Sequence, residues 1–455
     1  MTPRIVEEYA RPYIFVTQWF PPEPAGVPVA LQDAIQELGL SLSVVTGIPN
    51  YPSGTVHSGY KAWKVYRDAC VWGGLLRVPV FPSHSASKLG RVANYGSFAL
   101  SSSVFALRQA RDSQGVFVYG SPVTAGLMPL MAKRFFGTPY LVFVEDLWPD
   151  SLLESTMAPQ GAIGRGVRAA AIWFSDLVYR NADHLVAITQ GMASELEARG
   201  NKPERISVVM NWARQEFNAP LVASGRLRAH LALTDDELVL LYAGNLGSTH
   251  DLGNWIRAVD QVSDTAPVSL VFIGHGAARE ELEYLARDLR CNRVYFMDSL
   301  EEDDFIEMFA DADAVVVSLR RSSGLDTAMP SKIPFALAAG KITLASVDGD
   351  AAEAVRLGGG IVTEDGSVDS IVLAIGEFVA TKKEERVDRS WQAIRHYAQN
   401  MSRDHGKVCL SGSIIAAFRE TGIGRIPATQ SLHSEKPTKQ PEPDQVVGSS
   451  GTGNA

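Results

Sequence analysis

Two glycine-containing turns in the second half of the sequence have the residue types of an anion-binding loop. The first follows the apolar segment Leu238–Tyr242 and spans Ala243–Asp251, and the second is Gly274–Gly276. Glycines let backbone N–H groups approach a ligand closely, and a following helix N-terminus adds partial positive charge for phosphate. A plain strand-to-helix turn is the alternative for each, because neither forms a complete G-x-G-x-x-G fingerprint. Three residues of the first turn are candidate ligand contacts: Gly244, Asn245 and Gly247.

A basic loop follows the apolar segment Ala314–Leu319. It begins with Arg320 and Arg321 and ends where a helix is predicted to start at Ser331, a favoured N-cap, followed by Lys332. Three cations around a helix N-terminus would suit a pyrophosphate. The alternative is a loop of solvated basic residues. Because strand-end loops bind the ligands of α/β folds, the sequence predicts a pyrophosphate site here.

Acidic residues stand at two strand ends in the first half of the sequence. Glu145 and Asp146 directly follow the predicted strand Tyr140–Val144, where a carboxylate can accept a proton or a hydrogen bond from a substrate hydroxyl. The alternative is that Asp146 caps the following turn. Glu23 and Gly26 lie between the first predicted strand and its helix. We expect this loop to face the cleft at the carboxyl ends of the strands, as Glu145 and Asp146 do.

Composition limits the classes of protein that this chain can belong to. Its 455 residues are 46% hydrophobic and 20% charged, with a net charge of −9, which argues against sequence-independent nucleic-acid binding. Three widely spaced cysteines build no disulfide framework or zinc site and suggest a reducing compartment. The first dozen residues lack the apolar region of a signal peptide, and no apolar run approaches the roughly 18 residues of a membrane span. We expect a cytoplasmic protein.

Short apolar segments alternate with helical patterns, which predicts parallel sheets covered on both faces. The pattern restarts after the polar segment Ala213–Asp235, which we interpret as a hinge between two doubly wound α/β domains. The predicted strands are Tyr13–Thr17, Ser41–Val45, Leu76–Val80, Gly115–Tyr119, Tyr140–Val144, His184–Ile188, Ile206–Met210, Leu238–Tyr242, Val268–Ile273, Val294–Met297, Ala314–Leu319, Ile342–Ala345 and Gly360–Thr363.

We divide the chain at these changes of pattern. Residues 1–215 form the first Rossmann-like domain and 216–398 the second, and 399–425 form a C-terminal helix that returns to the first domain. Residues 426–455 are rich in Pro, Ser, Thr, Gln and Gly and contain no aromatic residue. Such a segment buries too little apolar surface to offset its ordering entropy, so we expect a disordered tail.

Two helical segments of the first half mix basic and aromatic residues. Lys88–Arg111 contains four basic residues among apolar ones, and Gly161–Arg180 places arginines beside Trp173 and Phe174. This mixture suits the surface of an anionic bilayer. The alternative is an apolar stripe that faces the core and has a solvated basic rim.

Several short motifs occur in an order that resembles one known family. The chain is similar to glycosyltransferases of the GT-B fold, family 4, and within them to the branch of L-fucosamine transferases and enzymes of colanic-acid and O-antigen biosynthesis. The resemblance covers roughly residues 13–418. The motifs that carry it are Pro21–Gly26, Asn50-Tyr51-Pro52, Asn94–Phe98, Glu145–Pro149, Asn211-Trp212, Tyr242–Gly247, Pro330-Ser331-Lys332 and Ala338–Lys341.

The resemblance implies a nucleoside-diphosphate sugar, carrying UDP in our interpretation, in the C-terminal domain and an acceptor against the N-terminal domain. The acceptor would be a lipid-linked glycan intermediate of surface polysaccharide or lipopolysaccharide assembly, and the sugar would be transferred with retention. Helix N-termini and basic residues can stabilise the leaving diphosphate, so the resemblance implies no metal and no cofactor besides the donor. It makes Asp146 the preferred catalytic residue, with Glu145 beside it. It adds Asn50 and Tyr51 to the acceptor site, with Glu23 and Gly26.

The sequence departs from the family at positions that normally bind the donor. Thr327 and Phe335 occupy the places of a Glu-x7-Glu pair, whose second member normally holds the donor ribose, and Asp326 or Glu353 could substitute. Asn245 and His250 occupy the places of the Arg and Lys of a common G-R-L-x-x-x-K-G turn.

The departures leave two further functions open. A sugar-nucleotide 2-epimerase shares this fold, although it would need clustered carboxylates and histidines that the sequence hardly offers. A non-catalytic nucleotide-sugar-binding subunit would explain the missing Glu pair. Two D-x-D sequences, Asp311–Asp313 and Asp348–Asp350, match a metal motif formally, and we expect both to shape turns or cap elements instead.

Overall fold

The computed structural model describes residues 11–70, 73–83, 88–148, 161–217, 219–321 and 326–419. Two sheets organise this part of the chain, and the prediction of two doubly wound Rossmann-like domains is confirmed. The expected tail, 426–455, lies outside the described residues. No helix in the described ranges is both long enough and apolar enough to cross a membrane.

The first sheet has eight strands in the order β3-β4-β2-β1-β5-β6-β7-β8. Its strands are β1 Tyr13–Val16, β2 Leu42–Gly47, β3 Tyr66–Cys70, β4 Gly73–Val78, β5 Val116–Tyr119, β6 Tyr140–Val144, β7 His184–Ala187 and β8 Ile206–Val208. The helices that follow in this half are α1 Gly26–Glu37, α2 Lys88–Arg111, α3 Leu127–Phe136, α4 Gly161–Asn181 and α5 Gln190–Ala198. The chain order reverses between β1 and β5, which opens a crevice at their carboxyl ends.

One strand was not predicted, and it makes the first sheet mixed rather than parallel. β3 pairs antiparallel with β4, with only two residues between them, at the edge of the sheet. The segment carries Arg67 and Asp68, both exposed, instead of a continuous apolar run. Charged edge strands of this kind escape a search for buried parallel strands.

The second sheet has six parallel strands in the order β11-β10-β9-β12-β13-β14, with its crevice between β9 and β12. Its strands are β9 Leu238–Ala243, β10 Val268–Ile273, β11 Val294–Met297, β12 Ala314–Ser318, β13 Ile342–Ser346 and β14 Ile361–Val362. The helices of this half are α6 Arg226–Leu231, α7 Gly253–Val262, α8 Arg279–Asp288, α9 Glu302–Ala310, α10 Lys332–Ala338, α11 Gly349–Leu357, α12 Val368–Ala380 and α13 Lys383–Asn400. The predicted hinge therefore contains a helix, α6.

The last described helix, α14 (Arg403–Phe418), packs on β6, β7 and α1 of the first domain, whereas α13 packs on α10 of the second. The Phe418 ring lies 5.1 Å from the rings of both Tyr13 and Phe117. Glu216, in the segment between the domains, accepts hydrogen bonds from the Tyr397 hydroxyl at 2.6 Å and the Arg403 backbone at 2.7 Å. The two domains are thus joined by two neighbouring passages of the chain.

Candidate functional site

The turn after β9 is fitted closely against the turn after β10. Gly244 has φ +121°, and a Cβ on Gly274 would lie 2.1 Å from the Gly244 carbonyl oxygen, so no side chain fits there. The Leu246 backbone N–H donates to the His275 carbonyl at 2.8 Å. Gly244 and Asn245 are exposed at the crevice, and Gly247 is half-buried. The second turn therefore holds the first in a shape that leaves its backbone open to a ligand.

Lys332 is the cation that reaches this turn. Its Nζ lies 4.8 Å from the centre of the Tyr242 ring, and its Cε would be 3.2 Å from a Cβ on Gly244. Burial lowers the pKa of the amine. Within the described residues no carboxylate forms a salt bridge with Lys332, although removing a charge from water is costly without a partner. The side chain is therefore suited to receive an anionic ligand.

His250 lies on the other side of the same turn. Its Nδ1 is 3.2 Å from the Ser318 carbonyl oxygen, and its ring centroid is 6.0 Å from that of Tyr242. Burial lowers the pKa of the imidazole, and the positive charge of Lys332 lowers it further. In the neutral imidazole the single N–H is on Nδ1 and donates to Ser318, which leaves Nε2 as an acceptor.

Of the three predicted cations, Arg321 is engaged by another part of the fold. Arg321 forms an ion pair with Asp348 at 3.0 Å and donates to the Glu364 carbonyl at 2.6 Å. Arg320 is exposed, and its backbone N–H donates to the Thr249 carbonyl of the first glycine turn at 2.7 Å. Asp348, which pairs with Arg321, follows β13 and is distant from it in sequence.

Ser331 also departs from its expected role. It occupies the N-cap position of α10 but has helical backbone angles and makes no side-chain capping hydrogen bond. The helix has only seven residues, so its dipole is small. What remains at this point of the crevice is the charge of Lys332, with the exposed Ser331 hydroxyl beside it.

A cavity of about 650 Å³ lies between the two domains. Gly26 and Leu31 line it from the first domain, and the segment Asn211–Gln215 lines it from the connection between the domains. Ser331 and Lys332 line it from the second domain. Predicted acceptor-side and donor-side residues therefore share one cavity.

Phe335, which stands where the family has its ribose-binding carboxylate, lines the same cavity. Its ring centroid lies 5.0 Å from Phe309 and 5.9 Å from Phe305, which both line the cavity. Two acidic residues, Glu301 and Glu302, also line it. They were not among the predicted site residues; their signal was the position at the end of the loop that joins β11 to α9.

Glu353 does not reach this cavity. It is exposed on α11 and lines an open depression together with Asp326, Thr327 and Asp350. Thr327, at the other expected carboxylate position, lies in the same depression, where its carbonyl accepts a hydrogen bond from the Thr189 hydroxyl at 2.8 Å. Glu353 therefore lies apart from Lys332, so its predicted role as a substitute ribose ligand is not supported by position.

Glu145 and Asp146 follow β6 and meet different environments. Asn211 donates to the Glu145 carboxylate at 2.5 Å, yet burial raises the pKa of Glu145 to about 7, with a further contribution from the Asp146 charge. Asp146 is exposed, and one of its oxygens accepts a hydrogen bond from the Ser121 hydroxyl at 2.6 Å. The exposed carboxylate is the one that an incoming hydroxyl can reach. Asn211 and Ser121 were not among the predicted site residues.

Two predicted acceptor contacts lie beneath the site. Glu23 is 3% exposed, and its carboxylate accepts backbone hydrogen bonds from Asn50 at 2.7 Å and Tyr51 at 2.8 Å. Burial raises the pKa of Glu23. Asn50 is also 3% exposed and accepts a hydrogen bond from the Asn94 amide at 3.2 Å. Glu23 and Asn50 therefore position the loop, in place of the direct acceptor contact that we predicted.

Tyr51 remains at the surface of that loop, half-buried, with its ring centroid 5.3 Å from that of Trp19. Tyr95 lies 6.3 Å from Trp19 and 5.7 Å from Trp148. Rings of this kind present flat apolar faces and polar edges. Trp19, Tyr51 and Tyr95 are half-buried, whereas Trp148 belongs to the core beneath them.

The four D-x-D carboxylates are engaged in structural contacts. Asp350 accepts a hydrogen bond from the Gly191 N–H of the first domain at 2.6 Å, and Asp348 pairs with Arg321. Asp311 accepts two N–H bonds at the start of α6, and Asp313 forms an ion pair with Arg228 at 2.7 Å. In the part of the chain that the structure describes, no group of three potential metal-binding side chains is found.

Comparison with known proteins identifies the class. Residues 27–212 match the model of the glycosyl transferase 4-like domain, and residues 224–396 match that of glycosyl transferases group 1. Together these ranges cover both Rossmann-like domains and the cavity between them. The chain belongs to the glycosyltransferases of the GT-B fold that combine these two domains, and it is an enzyme of this class, as the resemblance implied.

One relative and two solved structures show which glycosyltransferases this chain is similar to. The chain is 27% identical over 366 residues to the putative colanic acid biosynthesis glycosyl transferase WcaI of Escherichia coli, covering 78% of this chain and 88% of that protein. Among solved structures, HepE of Anabaena in complex with UDP is 15% identical, with a TM-score of 0.65, over 89% of this chain and 99% of that one. Sucrose-phosphate synthase of Thermosynechococcus elongatus is 15% identical, with a TM-score of 0.67, over 90% and 99%. This chain is thus a glycosyltransferase similar to an enzyme of polysaccharide biosynthesis.

Proposed function

We propose that the enzyme transfers a sugar, with retention, from a UDP-sugar to a lipid-linked glycan intermediate of surface polysaccharide assembly. The similarity to a putative colanic acid transferase supports a polysaccharide pathway, and a structural neighbour was solved with UDP. Such an acceptor would bring the enzyme to the inner face of the cytoplasmic membrane as a peripheral protein. The donor is the only small-molecule partner that the proposal requires, and nucleic acid has no part in it.

The observation that carries the proposal is Lys332. A desolvated amine, with no carboxylate partner in the described residues, lies against a glycine turn in a cavity shared by both domains. In the proposal Lys332 and the backbone N–H groups of Asn245 and Gly247 bind the diphosphate, because those of Gly244 and Leu246 already donate to Ile273 and His275. They stabilise the charge that develops on it as the glycosidic bond to the donor breaks. Fixed donors do this well because they need no reorganisation during the reaction.

We assign the remaining roles to two acidic residues of the cavity and to residues of the first domain outside it. Glu301 and Glu302 accept hydrogen bonds from hydroxyls of the donor, which replaces the missing carboxylate at Phe335. Asp146 accepts the proton of the acceptor hydroxyl, while Ser121 fixes the orientation of its carboxylate. Tyr51 and the neighbouring rings contact the acceptor sugar.

Donor binding is the first test. Thermal-shift and calorimetric titrations with a panel of nucleotide sugars should identify one that stabilises the full chain, by ~2.7 kcal/mol at a hundred times its dissociation constant. Lys332→Ala should weaken that donor by about 10-fold to 150-fold, since a hydrogen bond to a charged group contributes roughly 1.5–3 kcal/mol. Lys202→Ala is the matched control, because Lys202 is exposed and pairs only loosely with Glu204 at 3.9 Å. Equal donor affinity in both variants would contradict the assignment.

Turnover separates the proposed enzyme from the two alternatives. Transfer to a lipid-extract acceptor, with the anomeric configuration of the product read by NMR, supports the transferase. Formation of an epimer of the donor sugar without acceptor would identify a 2-epimerase. Tight donor binding without transfer, hydrolysis or epimerisation would identify a binding subunit.

A further inference from the structure

Helix α2 has a second apolar surface in addition to the one that packs on the sheet. Phe98 and Ala106 are buried in the core, whereas Leu100 is 64% and Val104 73% exposed. The structure therefore divides the apolar residues of this helix, which the sequence analysis treated as one stripe. The outward ones have no packing partner that would explain them within the described residues.

Residues 62–63, before β3, and 79–82, after β4, extend this surface into a groove of about 560 Å³. Trp63, 76% exposed, and Phe81, 54% exposed, form its opposite wall. We call the exposed apolar side chains of this groove, together with the basic side chains around it, the α2 face. Its members are Lys61, Trp63, Lys64, Phe81, Leu100, Val104, Phe105, Arg108 and Arg111. Exposed apolar surface of this extent marks an interaction site.

The charge of this region is opposite to that of the whole protein. The helices α2 and α3, which pack on each other, contain six basic and no acidic residues in a chain of net charge −9. Arg108 and Arg111 follow Val104 by four and seven positions, which places them on the same side of the helix. Both are exposed, as are Lys61 and Lys64. The apolar groove is thus bordered by cations.

We propose that the α2 face binds the surface of an anionic lipid bilayer; this rests on the proposed lipid-linked acceptor. Tryptophan and phenylalanine insert at the level of the lipid head groups, and lysine and arginine neutralise lipid phosphates. A second copy of the chain fits less well, because a twofold contact would bring Arg108 and Arg111 close to the same residues of the other copy. Since the whole chain is negative, an anionic membrane would attract this face and repel the remainder.

The position of α2 connects this surface to the active site. Near the start of the helix, Asn94 accepts a hydrogen bond from the Gln18 amide at 2.5 Å, and the ring of Tyr95 lies 5.7 Å from that of Trp148. Val104 follows Tyr95 by nine residues, about 14 Å along the helix axis. Docking through the α2 face would therefore hold the acceptor crevice close to the lipid head groups.

Vesicle binding tests the inference with the full-length protein. Flotation at low salt compares vesicles of phosphatidylcholine alone with vesicles that also contain phosphatidylglycerol. We expect binding to the second kind only, weakening as salt rises. Arg108→Glu with Arg111→Glu should lower the partition at least about thirtyfold, which corresponds to the loss of two positive charges at ~1 kcal/mol each, before the repulsion of the new carboxylates is added. Trp63→Ser, Leu100→Ser and Val104→Ser together should lower it at least about tenfold.

Matched controls replace residues of the second domain with the same exposure and chemistry. Arg287→Glu with Arg395→Glu, and Leu373→Ser, should bind vesicles like the wild type. Melting temperature and donor affinity of each preparation show that the α2 variants are folded. A wild type that ignores anionic vesicles, or α2-face variants that bind like the wild type, would overturn the inference. So would a wild-type dimer that the apolar variant converts to a monomer, because the face would then join two copies of the chain.

The two proposals fail in different ways. A wild type that binds donor and transfers sugar to a detergent-dispersed acceptor, but does not bind anionic vesicles, overturns only the membrane surface. Absence of donor binding in the wild type overturns the proposed function, whatever the vesicles show.

Discussion

Replacing Glu145 by glutamine should make the stability of the protein respond to pH in a specific way. Burial raises the pKa of this carboxyl from 4.5 to about 7, so the folded protein holds the proton more tightly than the unfolded chain does. The favourable contribution of the protonated group is complete below the unfolded value and is lost as pH rises through about 7. At about 1.4 kcal/mol per pH unit, ionisation costs the folded state about 3 kcal/mol.

Glutamine has nearly the same shape, can accept the hydrogen bond of Asn211 and never ionises. Glu145→Gln should therefore match the wild type near pH 4 and exceed its free energy of unfolding by about 3 kcal/mol near pH 8. Urea denaturation of both proteins across this range measures the difference, with Glu197→Gln, the same change at an exposed glutamate of α5, as the control. A difference that stays constant with pH would refute the argument that burial governs Glu145. A loss of transfer in Glu145→Gln comparable to that in Asp146→Asn would show that both carboxyls take part in the reaction.

Three further predictions follow from particular contacts. Asp146→Asn should lower the rate of transfer about 10²-fold to 10⁴-fold, as expected for a lost general base, while calorimetry shows an unchanged affinity for the donor. A weaker affinity for the donor, with normal transfer per bound donor, would reverse the roles of the two domains. Phe418→Ala should lower the free energy of unfolding by about 3–5 kcal/mol in urea denaturation, because it removes a fully buried ring that joins α14 to the first sheet. A decrease of less than about 1 kcal/mol would mean that the end of this helix detaches freely. Gly244→Ala should impair donor binding in the same titrations, since φ is +121° and the new Cβ would lie only 3.2 Å from the Lys332 Cε. Gly26→Ala meets no atom within 4 Å and should bind donor normally.

The sequence by itself determined the repeated units of this fold and the positions of its ligand-binding turns. Continuous apolar segments ending in turn residues predicted the strands of both sheets except the charged edge strand β3, with β6, β10 and β11 correct at both ends. The glycine turn at Gly244 was equally readable, because the need for a positive φ is a local property of the backbone. Motif order then predicted the GT-B class, which the domain matches confirm.

Only the tertiary structure decided which charged groups are available to a ligand. Lys332 and Arg321 look equivalent in the sequence, but Arg321 is paired with Asp348 after another strand. Glu23 looked like a cleft residue, yet it is buried beneath a loop whose backbone it binds. The partners of a side chain are set by elements far away in the sequence, and burial depends on how those elements pack. For this reason local pattern can locate a loop of this enzyme but cannot say which of its charges remains free.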